Sequence, residues 1–489
     1  GGGWRRVGAA WRATRGGSAG GAGGRGLGPA CRALGKGAGG SFHWASAVSK
    51  AAVLKLAIQQ AADGCLEQLP PGAEPTFGLV FVSSRFSTEF SSVLPTLKAL
   101  VPSLQHVVGS SGFGVIGGSL TGETTSVGGV AAPEEVELVP GLSLTLGVLP
   151  GVRVRTFALT EDTLPDADAP PDRWAEALGV PLEEDSDTPH FMLVADPAFA
   201  ATQDALAGLD FAYPTSTKVG GLSSSTSMRE QWAAFVADAA ELEGGGTGGV
   251  NYGGMVGVAM SGAGFAIDSI VAQGCRQVGE HTYTVVRSKG QLVLEVEDEA
   301  GAGSSPLQAL QETVAALSPE EQQMVQRSIT AALARESLKP LEELQAGDFL
   351  VRGLQGADLE SGALAMGDDV KVGDRLRFMV RDQQGAVQDL AQQMADYKRA
   401  ELAKSFAGSG TDAPFGAVLF ACNGRGEGLF SESNHDSATF ASYIPVPVSG
   451  FFCNGEIGPV GASTYLHGFT AVFAVLRAAP RGEGEEGQR

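Results

Sequence analysis

Apolar residues recur along this chain in two periods. From Lys50 to Leu69, the residues Leu54, Ala57, Ile58, Ala61 and Cys65 fall on one face at helical spacing. By contrast "FGLVFVSS", Phe77 to Ser84, is almost continuously apolar, as expected of a strand buried on both faces. "STEFSSVLPTLKALV" then spaces Leu94, Leu97 and Leu100 for a helix, and "HVVGSSGFG" reads as a second strand running into a glycine turn. The same order returns in "HFMLVADPAF" (His190 to Phe199), the helical "ATQDALAGL" and "KVGGLSSS" (Lys218 to Ser225). It returns again in "FGAVLFACNGRG" (Phe415 to Gly426), "SATFASY" and "VSGFFCNGEIGPV" (Val448 to Val460). The pattern predicts three copies of strand, helix, strand, glycine turn. Two of the turns share the spacing G-x-x-x-x-G-x-I-G, at Gly109, Gly114, Ile116, Gly117 and at Gly450, Gly455, Ile457, Gly458.

Further beta runs lie between the copies: "LSLTLGVL", "VRVRTFAL", "GGMVGVAMSG" and "TYTVVRSKGQLVLEVE". Ser305 to Leu338 reads as a polar helical stretch, and "DFLVRGLQGADLESGALAMGDDVKVGDRLRFMVRD" alternates beta runs with turns. The expected fold class is α/β, with α+β as the alternative: two domains of repeated strand-helix-strand units, mixed sheets and glycine-rich turns. The expected domains are residues 50–275 and 276–478, with a boundary near Gln273 to Gly279, a leader over 1–45 and an acidic tail over 479–489.

Composition sharpens this picture at the N-terminus. The chain has 489 residues, 43% of them hydrophobic, and a net charge of −21. The first 50 residues nevertheless hold eight Lys or Arg and no acid, the first being Asp63. An Arg-rich, Gly/Ala-rich, acid-free leader reads as an organelle transit peptide, removed between Ala33 and Ser49, with chloroplast as the expected destination and mitochondrion as the alternative. The acidic body repels phosphate backbones, which argues against a nucleic-acid partner. The longest apolar run, Gly468 to Leu476, is about half a membrane span. Five scattered cysteines fit a reducing compartment better than a disulfide scaffold.

Several chemistries are open. "GFGVIG" fits G-x-G-x-x-G, but no helical pattern follows to receive a pyrophosphate, so no dinucleotide cofactor is expected. The one G-x-S-x-G lies in the leader, at Gly16 to Gly20. Cys422, Cys453, His435 and His467 follow no zinc spacing, and no metal site is expected. A cysteine-dependent enzyme would use Cys422 or Cys453 with His435 or His467 as base. The favoured reading is a pocket. "CNGRG" offers Asn423, Gly424 and Arg425 to a carboxylate; "CNGEI" offers Cys453, Asn454, Gly455 and the anion of Glu456 to an amine. Together they suit an amino-acid-like zwitterion, on the C-terminal half and facing the first copy's glycines. Arg425 and Glu456 simply pairing with each other or with neighbours is the structural alternative.

"CNGRG" with "NHDSATF" (Asn434, His435, Asp436), then "VSGFFCNGEIGPV", then "YLHGFTAVFAVL" (Tyr465 to Leu476) resemble the FIST (F-box and intracellular signal transduction) family. "VVGSSGFGVIGG", "KVGGLSSS" and "GGMVGVAMSG" are similar to its N-terminal half, and "DFLVRGLQGADLESGALAMGDDVKVGDRLRFMVRD" and "AQGCRQVGE" support the middle. The resemblance implies a sensory module that binds small ligands, amino acids among them, and works with a protein partner. No kinase, chemoreceptor or F-box segment is recognisable in the remaining residues, so a stand-alone, plastid or cyanobacterial-like form is expected. The expected binding residues are Asn423, Gly424, Arg425, His435, Asp436, Cys453, Asn454, Gly455, Glu456 and His467. A protein-interaction scaffold is the competing function.

Overall fold

The computed structural model describes residues 41–478 except 123–124, 126–128, 183–186, 228, 245–248, 335–338 and 407–412. Most of the expected leader and the whole of the 479–489 tail lie outside the described residues.

Three units of one plan build most of the molecule. The first runs β1 (His43–Ser49), α1 (Leu54–Gln68), β2 (Phe77–Ser83), α2 (Val93–Leu100), β3 (His106–Gly112), a hairpin of β4 (Gly114–Gly118) and β5 (Pro133–Glu137), then β6 (Leu142–Val148). The second runs β7 (Arg153–Leu159), α3 (Pro171–Leu178), β8 (His190–Ala195), α4 (Thr202–Ala212) and β9 (Lys218–Leu222). It continues through β10 (Ala234–Ala237), α5 (Ala239–Glu243), β11 (Val250–Asn251) and β12 (Met255–Ser261). The third opens with β13 (Phe265–Gln273) and is interrupted by a segment carrying β14 (Cys275–Gln277), β15 (Tyr283–Lys289), β16 (Leu292–Glu297), β17 (Gly303–Ser304), α6 (Pro306–Ala316), α7 (Pro319–Ser328), β18 (Ile329–Ala334), β19 (Phe349–Ala357), β20 (Leu364–Met366) and β21 (Arg375–Arg381). It resumes as α8 (Gln383–Phe406), β22 (Ala413–Cys422), α9 (Glu427–Phe430), α10 (His435–Tyr443), β23 (Val448–Cys453), β24 (Glu456–Val460), β25 (Ser463–His467) and β26 (Thr470–Ala478).

The three six-stranded sheets share one order: β1-β6-β2-β3-β10-β11, β7-β12-β8-β9-β24-β25 and β13-β26-β22-β23-β4-β5. In each, the pairs β2/β3, β8/β9 and β22/β23 are parallel, as strand-helix-strand crossovers require. The last two strands of each sheet are a guest hairpin from another unit. Ile116 of the first unit pairs with Gly450 of the third, Ile457 of the third with Gly220 of the second, and Phe235 of the second with Gly109 of the first. The exchange closes a ring of three.

This ring explains the repeated glycine. A Cβ at Gly109, Gly220 or Gly450 would lie 1.8, 1.9 and 1.9 Å from the carbonyl oxygens of Val80, Leu193 and Leu419 on the parallel neighbour. Each glycine therefore sits where two strands approach closely and where the next unit's hairpin docks. Strand alternation sorts the rest. Phe77, Leu79 and Phe81, Met192 and Val194, and Val418 and Phe420 face one core shared by all three sheets. The alternate residues Val80 and Val82, Phe191 and Leu193, and Ala417 and Leu419 pack under each sheet's own helices.

The interrupting segment forms an antiparallel sheet in which β18 pairs with both β19 and β21, so the path β21-β15-β16-β20-β19-β18 closes on itself. Here the structure departs from the sequence reading. The helix expected to Leu338 ends at Ser328, because the apolar run "ITAALA" becomes the closing strand β18. Strands from both sides of the expected 275/276 boundary share two of the six-stranded sheets, so the two sequence halves are interwoven. The leader boundary at 45 falls inside β1, whose Trp44, Ala45, Ala47 and Val48 are buried. A leader ending at Ser49 would carry away that entire edge strand.

Candidate functional site

The exchange of hairpins gathers the carboxyl ends of β9, β22 and β23 at one place, the kind of strand-end crevice that receives ligands in open α/β sheets. Backbone bonds stitch it: Leu222 N–H donates to Gly455 O (2.8 Å), Asn454 N–H to Leu222 O (3.1 Å) and Asn423 N–H to Cys453 O (2.9 Å). Asn423 and Asn454 do share a hollow, of about 260 Å³, lined also by Ser223 to Ser227 and Trp232. The facing wall is thus the second unit's serines, not the first copy's glycines. Ser223 and Ser224 are already occupied: Ser223 Oγ meets Ser110 Oγ at 2.9 Å, and Ser224 Oγ accepts from Phe113 N–H at 2.7 Å.

The charged residues expected in that hollow lie beneath it. Arg425 is 1% exposed and gives Nε and Nη2 to the two carboxylate oxygens of Asp436, at 2.7 and 2.8 Å. Its remaining nitrogen, Nη1, has no hydrogen-bond partner among the described residues. Glu456 is fully buried and accepts from Thr470 N–H at 3.1 Å; burial pushes its carboxyl up to about 8. A carboxylate ligand for Arg425 and an amine for Glu456 are therefore replaced by internal partners, because neither group reaches solvent. Gly424 lies against the Arg381 guanidinium. His435 Nδ1 bonds to Glu432 at 2.8 Å while its ring stacks on Phe430 at 4.0 Å. His467 Nε2 meets Gly458 O at 3.0 Å, and burial lowers its pKa to about 4.

Neither imidazole pairs with a thiol. Cys453 Sγ donates to Ala421 O at 3.2 Å and approaches Glu456 Oε1 at 3.7 Å. Burial raises both thiols, Cys422 up to about 12, the reverse of the activation a cysteine nucleophile needs. Among the described residues no group of His, Cys, Asp and Glu could hold a metal ion, and no helix is long and apolar enough to cross a membrane.

A larger cavity, about 850 Å³, lies elsewhere. Its walls are the end of β13 (Ile270, Val271, Gln273), β14 (Cys275 to Gln277), Phe349, the outer face of β21 (Arg377, Met379), the α8 face carrying Gln388, Asp389, Gln392, Gln393 and Asp396, and the β24–β25 turn at Pro459 and Gly461. It thus sits where the closed sheet of the interrupting segment meets the third unit. Gln273 Nε2 donates to Phe349 O at 2.7 Å across this seam. Burial raises the Asp389 carboxyl, which accepts from Gln273 N–H and from Gln393 Nε2. None of the sequence-derived binding residues lines this cavity. The signals existed: Ala386, Leu390 and Met394, four apart, are the buried face of α8, and "RLRFMVR" alternates arginines with apolar residues as a two-faced strand does. What was not legible is that the neighbouring polar face of α8, with Gln388, Asp389 and Gln392, opposes the Arg377 face of β21 across the cavity.

Comparison with known proteins adds a lineage. A FIST N domain matches residues 76–299 and a FIST C domain matches residues 306–459. The chain is 38% identical over 224 residues to "Uncharacterized protein MT0656" of Mycobacterium tuberculosis, covering 46% of this chain and 54% of that protein. It is 37% identical over 211 residues to "Uncharacterized protein Mb0898c" of Mycobacterium bovis, covering 42% of this chain and 50% of that protein. The match therefore spans about half the length of these relatives. FIST domains are associated with sensory signal transduction. With both domain models matching in order across residues 76–459, this chain belongs to the FIST family.

Proposed function

We propose that this protein is a small-ligand-binding sensory module and that the ligand sits in the cavity between the interrupting segment and the third unit. One observation carries the reading: a cavity of about 850 Å³ at the seam of two packed bodies, with mixed apolar and polar walls. Small-molecule sites typically measure about 300–1,000 Å³ and favour such seams. The strand-end hollow is smaller, and its serine hydroxyls are spent on internal bonds. A ligand at the seam would touch β13, α8 and β21 together, and so could bias how the two bodies pack, which is what a sensor requires.

The test is thermal-shift and calorimetric screening of the chain against amino acids and small organic acids, alongside two variants. Gln393→Trp, on the α8 face, fills the cavity; Asn454→Ala opens the strand-end hollow. The expected result is a ligand whose stabilisation is lost in Gln393→Trp and kept in Asn454→Ala. The opposite pattern moves the seat to the hollow and removes the cavity from the account.

A further inference from the structure

We infer that the ligand of this cavity is a monocarboxylate with an apolar body, its carboxylate seated on the guanidinium of Arg377; this rests on the cavity being the ligand seat. The inference comes from accounting for the charges on the walls. Arg276 is paired through Nε with Asp382 at 3.0 Å and through Nη1 with Glu321 at 3.4 Å. Asp396 is paired with Arg399 at 2.7 Å and accepts from Gln392 Nε2 at 2.8 Å. Asp389 accepts from Gln273 N–H and Gln393 Nε2. Of the two lining arginines, Arg377 is the one with no carboxylate within 4.0 Å among the described residues.

Its surroundings hold it ready instead. Nε donates to Thr282 Oγ1 at 2.8 Å, and the guanidinium lies over the Phe349 ring, 4.1 Å from its centroid. Those two contacts fix the plane and leave the terminal nitrogens as a parallel pair of donors, the fork that a carboxylate matches. The acids whose charge Arg377 feels are engaged elsewhere: Asp348 with Lys339 at 2.7 Å, and Glu299 with Thr282 N–H and His281. In a chain with 55 acidic and 34 basic residues, an arginine that faces a cavity with no acid partner among the described residues is placed to receive an anion. One guanidinium balances one negative charge. A phosphate dianion would face Asp389 and Asp396 across the cavity with half its charge unmatched. Ile270, Val271, Met379 and Pro459 supply an apolar bed for the rest of the molecule.

The experiment is titration calorimetry on the full chain with hexanoate, 4-methyl-2-oxopentanoate, L-leucine, L-leucinamide and inorganic phosphate. Compounds with a free carboxylate should bind, and leucinamide and phosphate should not. Binding of hexanoate identifies a simple carboxylate; binding of leucine without hexanoate places that carboxylate in an amino acid. Arg377→Gln should weaken binding roughly 10- to 100-fold, the worth of hydrogen bonds to a charged group, with Arg377→Lys between it and the wild type. Equal affinity of acid and amide, equal affinity of wild type and Arg377→Gln, or no binding by any carboxylate overturns the inference. If Gln393→Trp blocks a ligand that Arg377→Gln still takes, the cavity reading survives and the carboxylate assignment does not. A ligand indifferent to both variants ends both. Should Arg377→Gln fail to fold, the acid–amide comparison on the wild type and the Arg377→Lys affinity decide.

Discussion

Arg425 is an arginine in a glycine-rich turn, two residues after an asparagine and in reach of a ligand on paper. In the folded chain its carboxylate is Asp436, eleven residues on, brought in by the first turn of α10. A guanidinium sealed from water demands a partner, since its desolvation costs several kcal/mol, and Asp436 supplies two charge-assisted bonds. Removing one member is then far worse than removing both. Asp436→Asn should cost about 3–5 kcal/mol in chemical denaturation, while the double change Arg425→Met with Asp436→Leu should cost clearly less than the sum of the single changes. Additive losses would mean that the two side chains stabilise the fold independently. The residue scale thus turns a candidate ligand contact into a structural pair, and it does the reverse for Arg377, which the sequence reading did not count among the binding residues and which lines the cavity.

At the scale of elements, the repeated unit is held together by a contact that only glycine permits. Gly109, Gly220 and Gly450 each face a backbone carbonyl of the parallel neighbour strand, and each receives the crossing hairpin of another unit. Alanine at any of the three must push two paired strands apart, for a loss of roughly 3 kcal/mol, the upper end of overpacking costs. Gly353→Ala, where a Cβ meets nothing within 4 Å, should stay within about 0.5 kcal/mol. Urea melts of the four variants separate these outcomes; a mild effect at Gly220 would break the equivalence of the second unit with the others. The three copies were legible because strand-helix-strand periodicity and the glycine turn are local. The guest hairpins were not, because nothing local tells β4, β10 or β24 which sheet it joins.

The whole molecule stores its unusual acids at the joints between units. Glu135, on the first unit's hairpin, accepts from Ser437 N–H at the start of α10 in the third unit, at 2.9 Å. Burial, with the Asp436 charge beside it, pushes its carboxyl up to about 7 from the ordinary 4.5. Glu456, at the joint with the second unit's β9, is raised to about 8 by burial. A raised folded-state pKa favours the protonated native state, so this contribution is fully present below 4.5 and is lost as pH climbs through 7 to 8. His467 works from the other side. Its lowered pKa, about 4, contributes stability above 6.5 that fades as pH falls toward 4. The melting temperature should therefore be highest in acidic buffer and decline up to about pH 8, above which these groups add no further loss. Glu456→Gln should flatten that decline, and an unchanged slope in calorimetric scans would remove Glu456 from the account.

The amino-acid sequence by itself determined the units: which runs are strands, which are helices, where glycine must follow, and the family whose ordered motifs the chain carries. These follow from hydrophobic period and turn chemistry, which act over a few neighbouring residues. Only the tertiary structure decided that Arg425 and Glu456 are sealed while Arg377 is open, that the "ITAALA" run closes a sheet, and that α8 and β21 face each other across a cavity. Burial and opposition depend on how separate elements pack, and a hairpin that pairs with another unit's sheet carries no local mark of its partner.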